Sequence, residues 1–245
     1  MYFSSQPAVV NRQLQSIIQH QHFFKLCSSH SATEVRELII DLLTHLFNLH
    51  PNNTCQVTHI DPLIKVYRGT LSSCDLKILS ILQLFEKQRK LSVAPLLSSW
   101  FATPNSASAT ALEALQALDP TIVFLTCKNF PQWRRTEDPT VEESNTMDSR
   151  LYDPVFLLFL FNQMMLEQPP SSTIAWLELL RTNVVSLFIR SLSARDGRIR
   201  ELALGQIVSL WKCLEVCRHA ASWFQYTSYL SRAPTFKRSR RSNTY

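Results

Sequence analysis

Histidine, cysteine and arginine are the residues here whose types could do chemistry, and their spacing decides which chemistry. His20-x-His22 with Cys27 and His30 offers four zinc-ligand types. The HxH…CxxH spacing fits no common structural-zinc pattern and reads as a polar helix end. Cys213 and Cys217 lie one helical turn apart, near His219, and read as ordinary apolar positions. Serines, histidines and acids abound, but no GxSxG elbow sets up a nucleophile. The chain has only three glycines, Gly69, Gly197 and Gly205. Neither GxGxxG nor GxxxxGK[ST] can therefore be written, which excludes glycine-rich phosphate loops of those kinds. The expectation is no catalytic residue, no metal site, no cofactor and no small-molecule substrate.

The arginines are more informative. Phe130-Pro131-Gln132-Trp133-Arg134-Arg135 sets aromatics beside a basic pair. Such a run can stack on a base and meet phosphate, or it is a turn anchored by Phe130 with two solvated arginines. Lys237-Arg238-Ser239-Arg240-Arg241 reads as a nuclear import signal, an RNA phosphate contact or a bare solvated terminus. Any phosphate contact is expected at Arg134, Arg135, Lys237, Arg238, Arg240 and Arg241. The net charge is +6, with 25 basic and 19 acidic residues. Arg232 and the four basic residues from Lys237 to Arg241 account for five of the 25, leaving 20 basic against 19 acidic elsewhere. A near-neutral body argues that protein contacts outweigh RNA contacts.

These residues sit on a chain that reads as helical throughout. About 17 glycines would be usual at this length, and their scarcity argues against a hairpin-rich β-fold. Six cysteines without a CxxC pair, and no charged-then-apolar leader, predict reduced thiols in an intracellular protein. The sequon Asn52-Asn53-Thr54 then carries no glycosylation meaning.

Residues 1–10 read as polar and frayed, and 12–26 as a short helix. Thr33 can cap a stronger one, in which Val35, Leu38, Ile39, Leu42, Leu46 and Leu49 recur at helical spacing until Pro51. Ser72-Ser73-Cys74-Asp75 resembles a capping box before Leu76, Leu79, Leu82 and Phe85. Asp119-Pro120 opens another helix, and 133–150 reads as a charged, exposed connector.

Leu151-Tyr152-Asp153-Pro154 then opens a helix of seven consecutive apolar residues, 155–161. Asp153 caps it and Pro154 suits its first turn; Tyr152, Asp153 and Pro154 are expected to fix the helix start. Asp153→Ala should cost about 1 kcal/mol as a lost cap. The apolar stretch is about half the roughly 20 residues a membrane span needs, so it is a packing helix and no membrane partner is expected. Finally, Asp196-Gly197-Arg198-Ile199-Arg200-Glu201-Leu202-Ala203 reads DxxIRxxA. This spacing resembles the turn and second helix of a HEAT repeat, with Thr33-Glu34-Val35-Arg36 as a weaker echo. The expected fold is all-α, HEAT/armadillo-like stacked helical hairpins, an α-solenoid segment.

Three stretches together resemble the C-terminal region of the nucleolar pre-ribosomal-associated protein 1 family. The first runs from Ile60-Asp61 through Leu63-Ile64, Tyr67, Thr70-Leu71-Ser72 and Asp75 to Leu79, Leu82, Leu84 and Glu86, similar to the family's YxxTLSxxDxxIL run and leucine-rich helix. The second is Phe130-Pro131 with Arg134-Arg135, similar to FPxxRR. The third is Leu151-Tyr152-Asp153-Pro154 with Phe156-Leu157-Leu158 and Phe161, similar to LYDPxFLLxLF. Order and rough spacing agree over about residues 60–214.

The resemblance implies a non-catalytic helical scaffold in early large-subunit ribosome assembly, located in the nucleus and nucleolus. Its implied partners are pre-ribosomal assembly-factor proteins and precursor rRNA. Family members are far longer, so it also implies a fragment or short form. The expected organisation is a helical segment at 1–57, the family's C-terminal-type domain at 58–217 and a basic, disordered tail at 218–245. The rival expectation is a generic α-solenoid adaptor in transport or trafficking, without an RNA role.

Overall fold

In a computed structural model of the chain, residues 6–28, 33–93, 96, 110–137 and 149–219 are described. The helices among them are α1 (Pro7–Ile18), α2 (Phe23–Ser28), α3 (Thr33–Leu49), α4 (Pro51–Thr54), α5 (Ile60–Val66) and α6 (Ser73–Arg89), followed by α7 (Ala111–Gln116), α8 (Pro120–Lys128), α9 (Pro154–Glu167), α10 (Thr173–Arg181), α11 (Val184–Ser191) and α12 (Gly197–His219). A 3₁₀ turn, Val57–His59, precedes α5. Among the described residues the only extended pairing is one antiparallel bridge, Thr70 with Tyr152. The all-α expectation is met.

Several helix starts are legible in side-chain chemistry. Asp119, Asp153 and Ser172 each accept a backbone N–H from the first turn they cap. Thr110 and Glu113 form a complete capping box on α7, a TxxE signal the sequence reading passed over. Ser72-x-x-Asp75 makes only half of one. The Ser72 hydroxyl accepts from the Asp75 N–H at 3.2 Å, while the Asp75 carboxylate turns to other partners. Asn183, in the left-handed region at φ 64°, separates α10 from α11. The helix expected at 12–26 is two: α1 begins at Pro7 and buries Val10, Leu14 and Ile18 at four-residue spacing, and a turn at 19–22 precedes α2.

The main packing partners are α3 with α6, α7 with α9, and α8 with α11. Helix α9 is apolar on every side, and Val155, Phe156, Leu157, Leu158, Leu160, Phe161 and Met164 are all buried. A helix without a polar face belongs inside a core. Helix α3 differs. It buries Ile40, Leu43, Leu46 and Phe47, whereas Val35, Leu38, Leu42 and Leu49 lie at the surface. Most of the stripe whose spacing marks α3 as a helix is thus not on the face α3 packs. Contacts divide the chain into two units, 1–207 and 208–245. The described part of the second is the end of α12. No helix among the described residues is long and apolar enough to cross a membrane.

Candidate functional site

The three stretches that carry the family resemblance, distant in sequence, meet in one place. The Asp153 N–H donates to the Gly69 carbonyl and the Leu71 N–H to the Leu151 carbonyl, each at 2.8 Å. These bonds flank the Thr70–Tyr152 bridge. Leu71, Leu76 and Leu151 form one buried cluster, with Trp133 packed against it. Tyr67 meets Phe156 edge to face at 5.3 Å between ring centroids. Gly69 has φ +70°, and an added Cβ would collide with the Phe156 ring. The backbone therefore passes Phe156 at a distance only glycine permits.

Two buried ion pairs hold this junction. The fully buried Arg134 donates through Nε to Asp153 Oδ1 at 3.0 Å and through Nη2 to Oδ2 at 2.7 Å. The same Oδ1 accepts the Val155 N–H at 2.9 Å. One carboxylate thus caps α9 and neutralises a buried guanidinium. Arg36, on α3, donates through Nη2 to Asp75 Oδ1 at 2.6 Å and to the Val66 carbonyl at 3.2 Å. Asp75 also accepts the N–H groups of Arg68 and Thr70, at 3.2 and 3.0 Å, and the Thr70 hydroxyl. The buried Tyr67 hydroxyl has no hydrogen-bond partner among the described residues. Burial, then the charges of Asp153 and Asp75, push its pKa well above the ordinary value.

Arg134 is therefore a correction: it is a buried ion-pair partner, not a solvated cation facing phosphate. The described start of the connector, 133–137, is also less exposed than expected, since Arg134 is buried and Trp133 partly so. Tyr152, Asp153 and Pro154 do form the start of α9. The Tyr152 N–H donates to the Thr126 hydroxyl at 3.2 Å, and its own hydroxyl accepts from the Asp119 N–H at 3.3 Å. Arg135 points outward instead. Lys237, Arg238, Arg240 and Arg241 lie outside the described residues.

Arg135 lines a cleft of about 690 Å³ together with Trp133, Thr136, Glu137, Arg195, Asp196, Arg198 and Glu201. Asp196 precedes α12, accepts the Arg198 N–H at 2.8 Å, and also accepts the Thr136 N–H at 2.7 Å and hydroxyl at 3.0 Å. Partial burial raises its pKa, but these donors lower it more, so the net value lies below the ordinary one. Arg198 pairs with Glu137 across the cleft. Arg200 donates to the Ala194 and Arg195 carbonyls at 2.7 and 2.8 Å, and Ile199 and Ala203 are fully buried. Asp196 thus takes the cap position and Ile199 and Ala203 the inward positions that the DxxIRxxA spacing implied. The sequence reading treated this motif only as a fold signal and missed Arg195 and Arg198 as exposed cations.

The cleft carries both signs of charge, Arg135, Arg195 and Arg198 against Glu137, Asp196 and Glu201, and can bind through charge and hydrogen bonds. Desolvation pushes the buried Cys27 and the half-buried Cys127 each up to about 11, which holds both as thiols. His20 and His22 adjoin, with ring centroids 5.5 Å apart, and His30 lies outside the described residues. No group of three His, Cys, Asp or Glu side chains among the described residues could hold a metal ion.

No family model and no solved structure matches the chain. Two curated relatives do. The chain is 30% identical to nucleolar pre-ribosomal-associated protein 1 of Mus musculus over 230 residues, covering 82% of this chain and 10% of the mouse protein. It is 28% identical to the Homo sapiens protein of the same name over 207 residues, covering 76% of this chain and 9% of that protein. The chain thus spans about a tenth of the length of the curated relatives it matches. Their name places them in the nucleolus, the location expected from the motifs. They are homologues of this chain, and the family the three motifs resemble is the one the relatives bear by name.

Proposed function

We propose, from this kinship with the nucleolar pre-ribosomal-associated protein 1 family, that the chain is a non-catalytic helical scaffold acting in the nucleus and nucleolus in assembly of the large ribosomal subunit. Its hairpins stack in the HEAT manner and present surfaces to assembly-factor proteins. Precursor rRNA is contacted secondarily, through Arg135 and the Lys237–Arg241 cluster. Kinship over four-fifths of the chain carries this reading. The junction supports it: apart from the exposed Arg135, the residues that meet there serve ion pairs, caps and close packing, which is how a scaffold uses them. The HEAT reading rests on the DxxIRxxA residues at the start of α12.

The test is gradient sedimentation of the tagged 245-residue chain from nuclear extract. Co-migration with pre-60S particles, lost when the particles are dismantled, is the expected result. A chain found free, or on cytosolic vesicles, favours the trafficking adaptor and overturns the proposal. Deleting residues 232–245 should weaken salt-sensitive RNA binding while leaving particle association in place. Loss of both would make RNA, not protein, the primary partner.

A further inference from the structure

Helix α3 carries two apolar faces and uses one. The inner face is fixed by Ile40, Leu43, Leu46 and Phe47 and by the Arg36–Asp75 ion pair. The outer face runs Val35, Leu38, Leu42, His45, Leu49, stepping by three, four, three and four. Val35 is 42% exposed, Leu38 70% and Leu42 48%. Single exposed leucines need no explanation. A row in strict a/d register is different, because that register is the seam of a helix packed on a helix. With Val35 and Leu42 at a and Leu38 at d, Glu34 and Asp41 fall at successive g positions. Asp41 is half exposed and shares its charge with Lys77, which leaves Glu34 as the g-row acid with no ion pair among the described residues.

We infer that the outer face of α3 docks an amphipathic helix of a partner protein, one with leucine-like residues along its seam and basic residues at its e positions. The register demands a helix. The g-row acids demand basic complements, which meet g residues across a two-helix seam. A second copy of this chain would not serve: its own α3 brings Glu34 and Asp41 to the seam, and its e positions are Ile39 and Leu46, neither of them basic. The face is preorganised, since α3 is pinned from behind, so docking need order only the incoming helix. This deepens the scaffold reading and rests on it only for the partner's cellular role. Binding to α3 and migration with pre-60S particles are separate measurements, and either can fail alone.

The test uses the full chain and a fluorescent three-heptad peptide with leucine at a and d and lysine at e and g. A second peptide carries glutamate at e and g. Fluorescence anisotropy at physiological salt should show the lysine peptide binding at least about tenfold more tightly. Leu38→Gln with Leu42→Gln should weaken that binding by about tenfold or more without moving the thermal midpoint. Glu34→Lys with Asp41→Lys, which leaves the seam intact, should reverse the preference between peptides. Equal binding of both peptides, or tight binding retained by the Leu38/Leu42 variant, overturns the inference. So does concentration-dependent dimerisation of the chain that the same variant abolishes.

Discussion

Asp153 and Asp196, two of the aspartates on which helices of this protein start, work in opposite surroundings. Asp153 caps α9 inside the molecule and holds the fully buried Arg134 with both oxygens. Asp196 precedes α12 at the rim of a cleft and accepts mainly uncharged N–H and O–H donors. One short segment supplies both, Arg134 to the first and Thr136 to the second. A carboxylate at a helix start is thus a modest device at the surface. In the interior, the same device carries a charge that nothing else can neutralise.

The comparison sets the scale of the expected effects. Asp153→Ala removes a cap and leaves Arg134 buried without a counter-charge. A broken buried pair costs about 3–5 kcal/mol, well above the 1 kcal/mol of a cap alone. Denaturant unfolding should show a loss of at least about 3 kcal/mol. A loss near 1 kcal/mol would mean Arg134 finds solvent, and the contrast between the two aspartates would collapse.

Gly69→Ala tests the junction without touching charge. A left-handed φ costs a residue with a Cβ about 1–2 kcal/mol, and displacing the Phe156 ring adds roughly 1–3 kcal/mol. A combined loss of about 2–5 kcal/mol is expected in the same assay. An unchanged midpoint would show the backbone free to move off Phe156.

Asp196→Ala should lose about 1 kcal/mol, the usual worth of a cap. Its pH signature sharpens the comparison. The folded-state pKa lies below the ordinary 3.8, so the stabilisation is present above that value and lost as pH falls through the folded pKa. Acid unfolding below about pH 4 should therefore be shallower in the variant. The buried His59, its pKa lowered by burial, contributes an earlier loss as pH falls below the ordinary 6.5, the same in both proteins. Identical limbs below pH 4 would remove Asp196 from the ledger of pH-sensitive groups.

The smallest effect is expected at Arg198. Its pair with Glu137 leaves both side chains more than 60% exposed, and exposed pairs contribute little. Arg198→Ala should leave the melting midpoint where it is. A clear drop would mean the cleft is tighter and drier than its exposure indicates.

Local sequence alone determined the helices, because caps and breakers act within a few residues of themselves. Asp119-Pro120 and Asp153-Pro154 each opened the expected helix, and Pro51 closed one. The apolar run of α9 also fixed its own burial, since no face of it could remain in water. Periodicity said that α3 is a helix but not which face it packs; the Arg36–Asp75 pair and the contact with α6 decided that. The Arg134-Arg135 dipeptide looks like two equal cations. Only the fold separates them, by bringing Asp153 from nineteen positions away to one and leaving solvent to the other. The half-made capping box at Asp75 has the same cause, a stronger partner arriving from a distant helix. Charge and hydrogen-bond partners are chosen across space, where spacing along the chain carries no information.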